Sequence, residues 1–299
     1  MTAAPLVAGL ELGGTKCVAV LARGGEILER AQIRTRDPEG TIAELAGTVR
    51  QWQAAGADVA ALGIASFGPL GLNAAREDYG FITGTPKLGW SRFDLRGALA
   101  AALNLPIRFD TDVNAAALAE GRWGAAQDAD VHIYLTVGTG IGGGVVAGGR
   151  LLHGLMHPEI GHVRIRRDPA DDFPGVCRFH GDCVEGLASG PAITRRTGID
   201  AALLEDSHPV WQRVAVELGE LVATLLLTVS AQRIVIGGGV GSRPALLPMV
   251  RKAAESALNS YLPLDAGGLN YIVVPPGLGE DSGALGAVLL ALRACEPCT

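Results

Sequence analysis

The feature that most constrains the fold of this chain is a glycine-rich hairpin that occurs twice. In the first copy the apolar runs LVAGLEL and CVAVLA flank the turn GGTK, and in the second copy VHIYLTV and VVA flank GTGIGGG. The apolar runs have the length and composition of β-strands, and glycine allows the backbone between them to turn tightly. Two similar hairpins predict two similar half-molecules. The alternative is that two glycine-rich hairpins resemble each other by chance.

The segments around these hairpins alternate between helical and extended patterns, which predicts a mixed α/β fold. Apolar residues at helical spacing predict helices over 39–55, 94–103, 111–124, 189–198, 211–230, 246–262 and 282–294. Short apolar runs between turn residues predict strands over 6–12, 17–22, 26–33, 57–66, 106–110, 131–137, 145–147, 233–236 and 269–277.

Composition and charge exclude several classes of protein. Apolar residues make up 48% of the 299 residues, so a large core is available, and the net charge is -6. An acidic chain is a poor ligand for nucleic acid or for an anionic membrane, because both attract basic surfaces. No apolar run approaches the roughly 20 residues that cross a bilayer, and the first residues lack the pattern of a secretory signal. These observations predict a cytoplasmic protein.

A short segment contains several groups that bind soft metal ions. Cys177, His180 and Cys183 follow one another at three-residue intervals, and His162 lies upstream. Zinc prefers four tetrahedral nitrogen and sulfur ligands, and sites closed in this way are usually structural. His132, His153 and His157 compete with His162 for the fourth position, and a surface loop with unrelated thiols is the alternative. Cys295 and Cys298 near the carboxyl end are interpreted as incidental.

The second glycine segment formally contains a dinucleotide fingerprint, Gly138-x-Gly140-x-x-Gly143. That fingerprint requires a helix directly after the glycines, and here Gly144-Val145-Val146 follows. A glycine hairpin can instead bind phosphate, because its exposed backbone N–H groups form an anion-binding nest. Two matched turns and a third glycine run at 237–239 favour a nucleotide over ordinary tight turns.

Asp112 occupies the junction between a predicted strand and a predicted helix, in the sequence FDTDVNAA. The carboxyl ends of strands line the ligand crevice in open α/β sheets, so Asp112 could act as a general base in phosphoryl transfer. Acidic and amide side chains are also good helix caps, and Asp110 or Asn114 could have only that role. The local sequence leaves catalysis and capping open.

Taken together, these motifs resemble the ROK sugar kinases (the repressor, open-reading-frame, kinase family), and within them the bacterial zinc-containing fructokinases. The resemblance runs nearly end to end and is carried by residues 11–16, 68–70, 85–90, 110–116, 138–143, 157–162, 177–185 and 237–239. It implies a two-lobed actin-like ATPase fold, in which a ribonuclease H-like unit is duplicated, as in hexokinases. The implied lobes are residues 1–113 with a final helix at about 284–299, and residues 114–283 with a zinc loop at 157–185.

The resemblance also implies roles for individual residues, with Asp112 as the base that deprotonates the sugar. The implied phosphate and nucleotide contacts are Gly13, Gly14, Thr15, Lys16, Gly138, Thr139, Gly140, Gly142, Gly237, Gly238 and Gly239. The implied sugar contacts are Gly68, Pro69, Asn114, Glu159, His162 and Glu185. The implied zinc ligands are His162, Cys177, His180 and Cys183.

ATP, Mg²⁺ and Zn²⁺ are therefore the expected cofactors, with a homodimer as the expected assembly. Many glucose-specific members have Asn directly before the catalytic Asp, whereas this chain has Thr111, which favours fructose. Arg178 stands where the fructokinase branch often has Pro, beside an expected zinc ligand. The expected reaction is the phosphorylation of D-fructose to fructose 6-phosphate. The alternatives are glucose, mannose or an N-acetylated hexosamine as substrate, a sugar sensor without turnover, or a sugar-responsive repressor.

Overall fold

The computed structural model describes residues 4–264 and 267–296. The helices are α1 (Pro38–Ala54), α2 (Leu95–Leu103), α3 (Asp112–Trp123), α4 (Val184–Ala188), α5 (Gly190–Thr197), α6 (Val210–Val229), α7 (Gly238–Gly241), α8 (Leu246–Leu258), α9 (Leu269–Ile272) and α10 (Ser282–Ala294). The strands are β1 (Leu6–Leu12), β2 (Lys16–Arg23), β3 (Glu26–Arg34), β4 (Leu62–Ser66), β5 (Phe81–Ile82), β6 (Phe93–Asp94), β7 (Ile107–Thr111), β8 (Val131–Val137), β9 (Ile141–Ala147), β10 (Arg150–Leu151), β11 (Arg233–Gly237) and β12 (Val273–Val274). Within these described ranges, no helix has both the length and the apolar character needed to cross a bilayer.

The first compact unit is built on a five-stranded sheet of order β3-β2-β1-β4-β7. The hairpin β1–β2 and its neighbour β3 are antiparallel, whereas β4 and β7 add in parallel to β1. One face packs on α1 and α2 through buried residues such as Leu45, Leu62 and Leu99. The strands β5 and β6 form a separate two-stranded ribbon.

The second compact unit repeats this arrangement with the order β10-β9-β8-β11-β12. The hairpin β8–β9 is antiparallel, and β11 and β12 add in parallel to β8. Its core lies between this sheet and the helices α6 and α8, with Trp211, Leu221 and Val250 fully or almost fully buried. Two sheets with the same strand order confirm the duplicated α/β fold expected from the two hairpins.

The helix α10 belongs to the first unit, although it follows the second unit in sequence. It crosses β4 so closely that a Cβ on Gly63 would lie 1.8 Å from the carbonyl oxygen of Ala287. It also crosses α3, where a Cβ on Gly286 would lie 2.3 Å from the backbone of Ala115. The helix α3 is therefore part of the first unit, whose first segment ends at Trp123, one helix later than the limit expected at residue 113.

Two sequence-based assignments are wrong in detail. The strand predicted over 269–277 is instead the short helix α9 followed by the two-residue strand β12. Pro275 and Pro276 follow β12 directly, and proline cannot donate the N–H that a longer ladder would need. In addition, Gly142, Gly143 and Gly144 are not part of a loop, because they lie in β9 and pair with β8.

Candidate functional site

Asp112 lies where β7 ends and α3 begins, and its carboxylate does not cap the helix. The capping bond comes from Thr111, whose hydroxyl oxygen accepts from the backbone N–H of Asn114 at 3.2 Å. Within the described residues, the carboxylate of Asp112 accepts a local bond from the N–H of Val113 at 2.9 Å. Withdrawal from water raises the pKa of Asp112 to about 6, against the effect of that bond. A carboxylate with this pKa can accept a proton near neutral pH.

Glu11, at the end of β1, was not identified as a site residue from sequence. Burial raises its pKa to about 7, and the nearby charge of Asp112 adds to this increase, while Lys16 and Arg30 oppose it. The close approach of Glu11 to α10 leaves no space at Gly283, where a Cβ would lie 2.2 Å from the carboxylate oxygen Oε1. The sequence signal that could have found Glu11 is a carboxylate ending an apolar strand directly before a glycine turn.

A buried hydrogen-bonded group lies behind Asp112. The amide nitrogen of Asn114 donates to Oδ1 of Asp110 at 2.6 Å, and Oδ2 of Asp110 lies 3.0 Å from Nε2 of His153. Asn114 is fully buried, and its Oδ1 has no hydrogen-bond partner among the described residues. Asn114 therefore holds Asp110, whereas a direct sugar contact by Asn114 remains a prediction.

The predicted sugar-contact residues Gly68 and Pro69 are joined by a cis peptide bond. The turn that follows is held by His157, whose ring nitrogen Nε2 accepts from the backbone N–H of Leu70 at 3.1 Å. Thr83 holds the other side, because its hydroxyl donates to the carbonyl of Pro69 at 3.1 Å. This segment therefore has a defined backbone position, and His157 is engaged here instead of in a metal centre.

The first glycine turn closes between β1 and β2. The N–H of Gly13 donates to the carbonyl of Lys16 at 3.0 Å, and the hydroxyl of Thr35 donates to the carbonyl of Gly13 at 2.8 Å. Gly14, Thr15 and Lys16 are exposed, so their backbone N–H groups can contact a ligand. The ammonium of Lys87 donates to the carbonyl of Gly14, which brings a second cation to this turn.

The second glycine turn, in the second unit, borders a cavity of about 790 Å³. Gly138, Thr139 and Gly239 line this cavity, so the structure brings two of the predicted glycine segments together. Gly237 and Gly238 are adjacent to it in the chain, whereas Gly142 lies in β9. The sequence resemblance implies Gly237–Val240 on the adenosine side, and Val240 also lines the cavity. The wall residues that were not identified from sequence are Gly190, Pro191, Thr194, Arg195, Gly198, Asp200, Ala201 and Ala202.

Glu185, predicted as a sugar contact, supports this second turn. Its Oε2 accepts from the backbone N–H of Ile141 at 3.1 Å, and a Cβ on Gly140 would lie 2.8 Å from the same oxygen. A side chain at residue 140 would thus displace the carboxylate. The remaining Glu185 oxygen leaves the residue one further acceptor for a ligand.

Four of the predicted metal ligands converge in the second unit. The ligand atoms of His162, Cys177, His180 and Cys183 all lie within 4.8 Å of one another. Nδ1 of His162 lies 3.7 Å from Sγ of Cys177 and 3.5 Å from Sγ of Cys183. Tetrahedral zinc bonds of the usual lengths separate nitrogen and sulfur by roughly 3.6 Å, so the donor set fits a zinc ion.

The local backbone explains why these side chains meet. Cys177 and Gly181 exchange two backbone hydrogen bonds, at 3.2 and 2.9 Å, and Gly181 has a φ of +61° that favours glycine. Arg167 then ties the loop down through Asp182, at 3.1 Å, and Asp171, at 3.1 Å. Arg167 therefore joins two parts of the loop.

Glu159 lies on the opposite side of His162 from the thiols. Its Oε2 is 4.0 Å from Nε2 of His162, which is too long for a hydrogen bond but close enough to favour the orientation of the ring. Cys295 is exposed after α10 and is not in the cluster, and Cys298 lies outside the described residues.

Comparison with known proteins gives a consistent result. The sequence profile of the ROK family matches residues 7–294. A fructokinase of Zymomonas mobilis is 40% identical over 293 residues, which are 95% of this chain and 96% of that protein. A fructokinase of Pediococcus pentosaceus is 39% identical over 292 residues, which are 97% of this chain and 99% of that protein. A ROK glucokinase from Streptomyces griseus, solved with glucose and AMPPNP, superposes with a TM-score of 0.77 at 27% identity and covers 96% of this chain and 99% of its own.

Proposed function

Because the chain belongs to the ROK family, we propose that it transfers the γ-phosphoryl group of ATP to D-fructose, giving ADP and fructose 6-phosphate. The observation that carries this proposal is Asp112, a carboxylate at the junction of β7 and α3 with a pKa raised to about 6. Fructose is supported by the identity to the two bacterial fructokinases and by Thr111 directly before Asp112.

In the proposed reaction, ionised Asp112 accepts the proton of a sugar hydroxyl while the oxygen of that hydroxyl attacks the γ-phosphorus. The bond between that phosphorus and the bridging oxygen breaks, and ADP leaves with the electron pair. Phosphoryl transfer passes through a loose transition state, so positioning and charge stabilisation dominate the rate. Gly68, Pro69, Asn114, Glu159, His162 and Glu185 are the residues proposed to bind and orient the sugar.

The nucleotide side is supported by the exposed turn residues Gly14 and Thr15 and by the cavity that Thr139 and Gly239 line, where backbone N–H groups are the proposed donors. Such groups bind phosphate oxygens without a side chain in the way. Glu11 is proposed to hold Mg²⁺ together with the ATP phosphates. Burial and the charge of Asp112 both raise the pKa of Glu11, because they disfavour its ionised form. A cation bound nearby would stabilise the two carboxylates, so this pair fits Mg²⁺. When bound, Mg²⁺ neutralises charge on the phosphates.

Zinc is proposed at His162, Cys177, His180 and Cys183, because the donor set is nitrogen and sulfur and the spacing fits a tetrahedron. Four protein ligands leave no open position for a reacting water, so zinc would have a structural role. It would fix the loop that carries Glu159 on one side and α4, with Glu185, on the other.

The proposal is tested with purified protein, ATP and a panel of fructose, glucose, mannose and N-acetylated hexosamines. The expected result is the highest kcat/KM with fructose. A higher kcat/KM with another hexose would contradict fructose as substrate but not the kinase chemistry. A homodimer in the cytoplasm is part of the same proposal, and light scattering that gave the mass of a single chain would contradict the dimer.

A further inference from the structure

A second cavity, of about 420 Å³, lies in the first unit beside the predicted sugar loop. Its wall begins at Leu70, the residue after Pro69, and continues through Thr83 to His153 and Met156. A volume of this size is within the range of small-molecule sites. One wall of the cavity is therefore formed by residues that directly follow Gly68 and Pro69, which are proposed to bind the sugar.

Most polar side chains in the wall are already engaged. Arg76 and Asp78 form an ion pair at 3.0 Å, and the hydroxyl of Thr83 donates to the carbonyl of Pro69. The side-chain oxygen of Asn73 accepts from the backbone N–H of Ala75 at 3.0 Å. These contacts shape the wall but leave few groups to recognise a ligand.

His153 differs from these residues. Its Nε2 is held 3.0 Å from Asp110 and 3.3 Å from the amide of Asn114, both of which are buried. Its other ring nitrogen, Nδ1, has no hydrogen-bond partner within the part of the chain that the structure describes, although the side chain is 39% exposed. One ring nitrogen is thus held by buried groups, whereas the other has no partner among the described residues, and His153 is one of the residues that line the cavity.

We propose that His153, positioned by Asp110 and Asn114, contacts one hydroxyl group of the sugar through Nδ1 and thereby sets the preference among hexoses. This inference rests on the proposed function, because it requires that a hexose is the substrate. A hydroxyl is the appropriate partner, since it both donates and accepts and can therefore pair with Nδ1 in either protonation state of the ring.

The hydrogen bond between Asp110 and His153 favours a role for His153 in binding a ligand over a role in packing alone. The hydrogen bond to Asp110 raises the pKa of His153 against the opposing effect of burial, so the charged ring is stabilised where it stands. A side chain fixed in this way gains more specificity from one contact than a mobile one, because little freedom is lost on binding. A site that pairs with a substrate hydroxyl rejects analogues without it, since the protein group would remain unpaired.

The test compares wild type with His153→Ala and His153→Gln, using fructose and a series of deoxyfructoses that each lack one hydroxyl. The amide of His153→Gln can still bond Asp110 but offers nothing at the position of Nδ1, so it serves if the alanine variant is poorly folded. Leu152→Ala is the control, because it truncates the neighbouring residue, which does not line the cavity. Thermal unfolding of each variant checks that the fold is retained.

We expect both His153 variants to lower kcat/KM for fructose by about 10- to 100-fold, with the Michaelis constant for ATP unchanged. For one deoxy analogue, the variants and wild type should have equal kcat/KM, because that analogue lacks the hydroxyl that His153 contacts. A uniform loss with every analogue, or wild-type kcat/KM in His153→Gln, would overturn the inference. If wild type prefers another hexose, the proposed substrate fails, and the same comparison with that hexose and its deoxy analogues decides the role of His153.

Discussion

Oε2 of Glu185 accepts a hydrogen bond from the backbone N–H of Ile141 at 3.1 Å. Glu185 lies two residues after Cys183, at the start of α4, and Ile141 begins β9 directly after the second glycine turn. The segment that holds the candidate metal ligands is therefore joined to the turn that borders the candidate nucleotide cavity. The Glu185 carboxylate contributes to this connection within the second unit, together with the backbone N–H of Gly190, which donates to the carbonyl of Gly138 at 2.7 Å.

This connection predicts that Glu185 affects both substrates. Glu185→Ala should raise the Michaelis constant for ATP by about tenfold, because the turn loses one hydrogen bond, and should also weaken sugar binding. Glu185→Gln retains an oxygen that can accept from Ile141, so its Michaelis constant for ATP should stay near that of wild type. Steady-state kinetics with each substrate varied in turn measure both effects. Equal Michaelis constants for ATP in wild type and Glu185→Ala would show that the turn does not depend on this bond.

Asp112→Asn tests the proposed base. The rate constant kcat should fall by about 10²- to 10⁴-fold, since asparagine cannot accept the proton. The fold should survive the substitution. The pKa of Asp112 is raised to about 6 in the folded protein, so ionised Asp112 lowers stability above that pH, whereas a neutral asparagine does not. Turnover and thermal unfolding at pH 8 measure the two properties. A variant with wild-type turnover would remove Asp112 from its proposed role.

The pKa of Asp112 also predicts the acid limit of activity. A base must be ionised, so kcat/KM for fructose should decline as the pH falls through about 6 and be about tenfold lower one unit below. An Asp in water, with a pKa near 3.9, would keep its activity to a much lower pH. The profile is measured by initial rates between about pH 4.5 and 8, in buffers of constant ionic strength and with saturating MgATP. A flat profile down to pH 4.5 would contradict the raised pKa.

Metal analysis tests the zinc proposal. Purified protein should contain about one zinc per chain, and Cys177→Ser or His180→Ala should lower this content. A chelator should raise the Michaelis constants for fructose and ATP before the chain unfolds, because the loop and Glu185 lose their common support. Cys295→Ser is the matched control, since Cys295 is exposed and lies outside the cluster. A folded, fully active protein that contains no zinc would reject the ligand assignment.

Two glycine substitutions in helices of the first unit should have opposite effects on stability. A Cβ on Gly286 of α10 would lie 2.3 Å from the backbone of Ala115, so Gly286→Ala should destabilise by about 1–3 kcal/mol. Gly47 of α1 has open space at the same position, so Gly47→Ala should stabilise by about 0.5–1 kcal/mol. Urea unfolding of both variants measures the free energies. Equal stability of the two would show that the crossing of α3 and α10 can relax.

The long elements could be predicted because their periodicity is local. The helix predicted over 39–55 is α1 at Pro38–Ala54, and the helix predicted over 211–230 is α6 at Val210–Val229. The segment 269–277 failed because a short apolar run does not distinguish a strand from one helical turn. Its burial against α8 selected the helix for Leu269, and that contact is not visible in the local sequence.

The candidate site divides in the same way. The convergence of His162, Cys177, His180 and Cys183 and the positions of the glycine turns could be predicted, because the residue types that mark them have few other uses. The role of His153 could not be predicted, because its significance comes from Asp110, a partner distant in sequence. Glu11 is marked in the sequence only by its position before a glycine turn, and the effect of Asp112 on it is visible only in the fold. The wall formed by α5 was missed for a similar reason, since its residues have no distinctive chemistry until the fold places them beside Gly138.

The position of α10 has a consequence for synthesis. Its side chains and backbone complete the first unit against β1, β4 and α3, yet the ribosome makes them only after the whole second unit. Domains that are continuous in sequence can fold in the order of their synthesis. Here the first unit, with Glu11 and Asp112, must wait with an uncovered apolar surface until α10 emerges, so chaperone dependence during translation should exceed that of a chain whose first unit is contiguous.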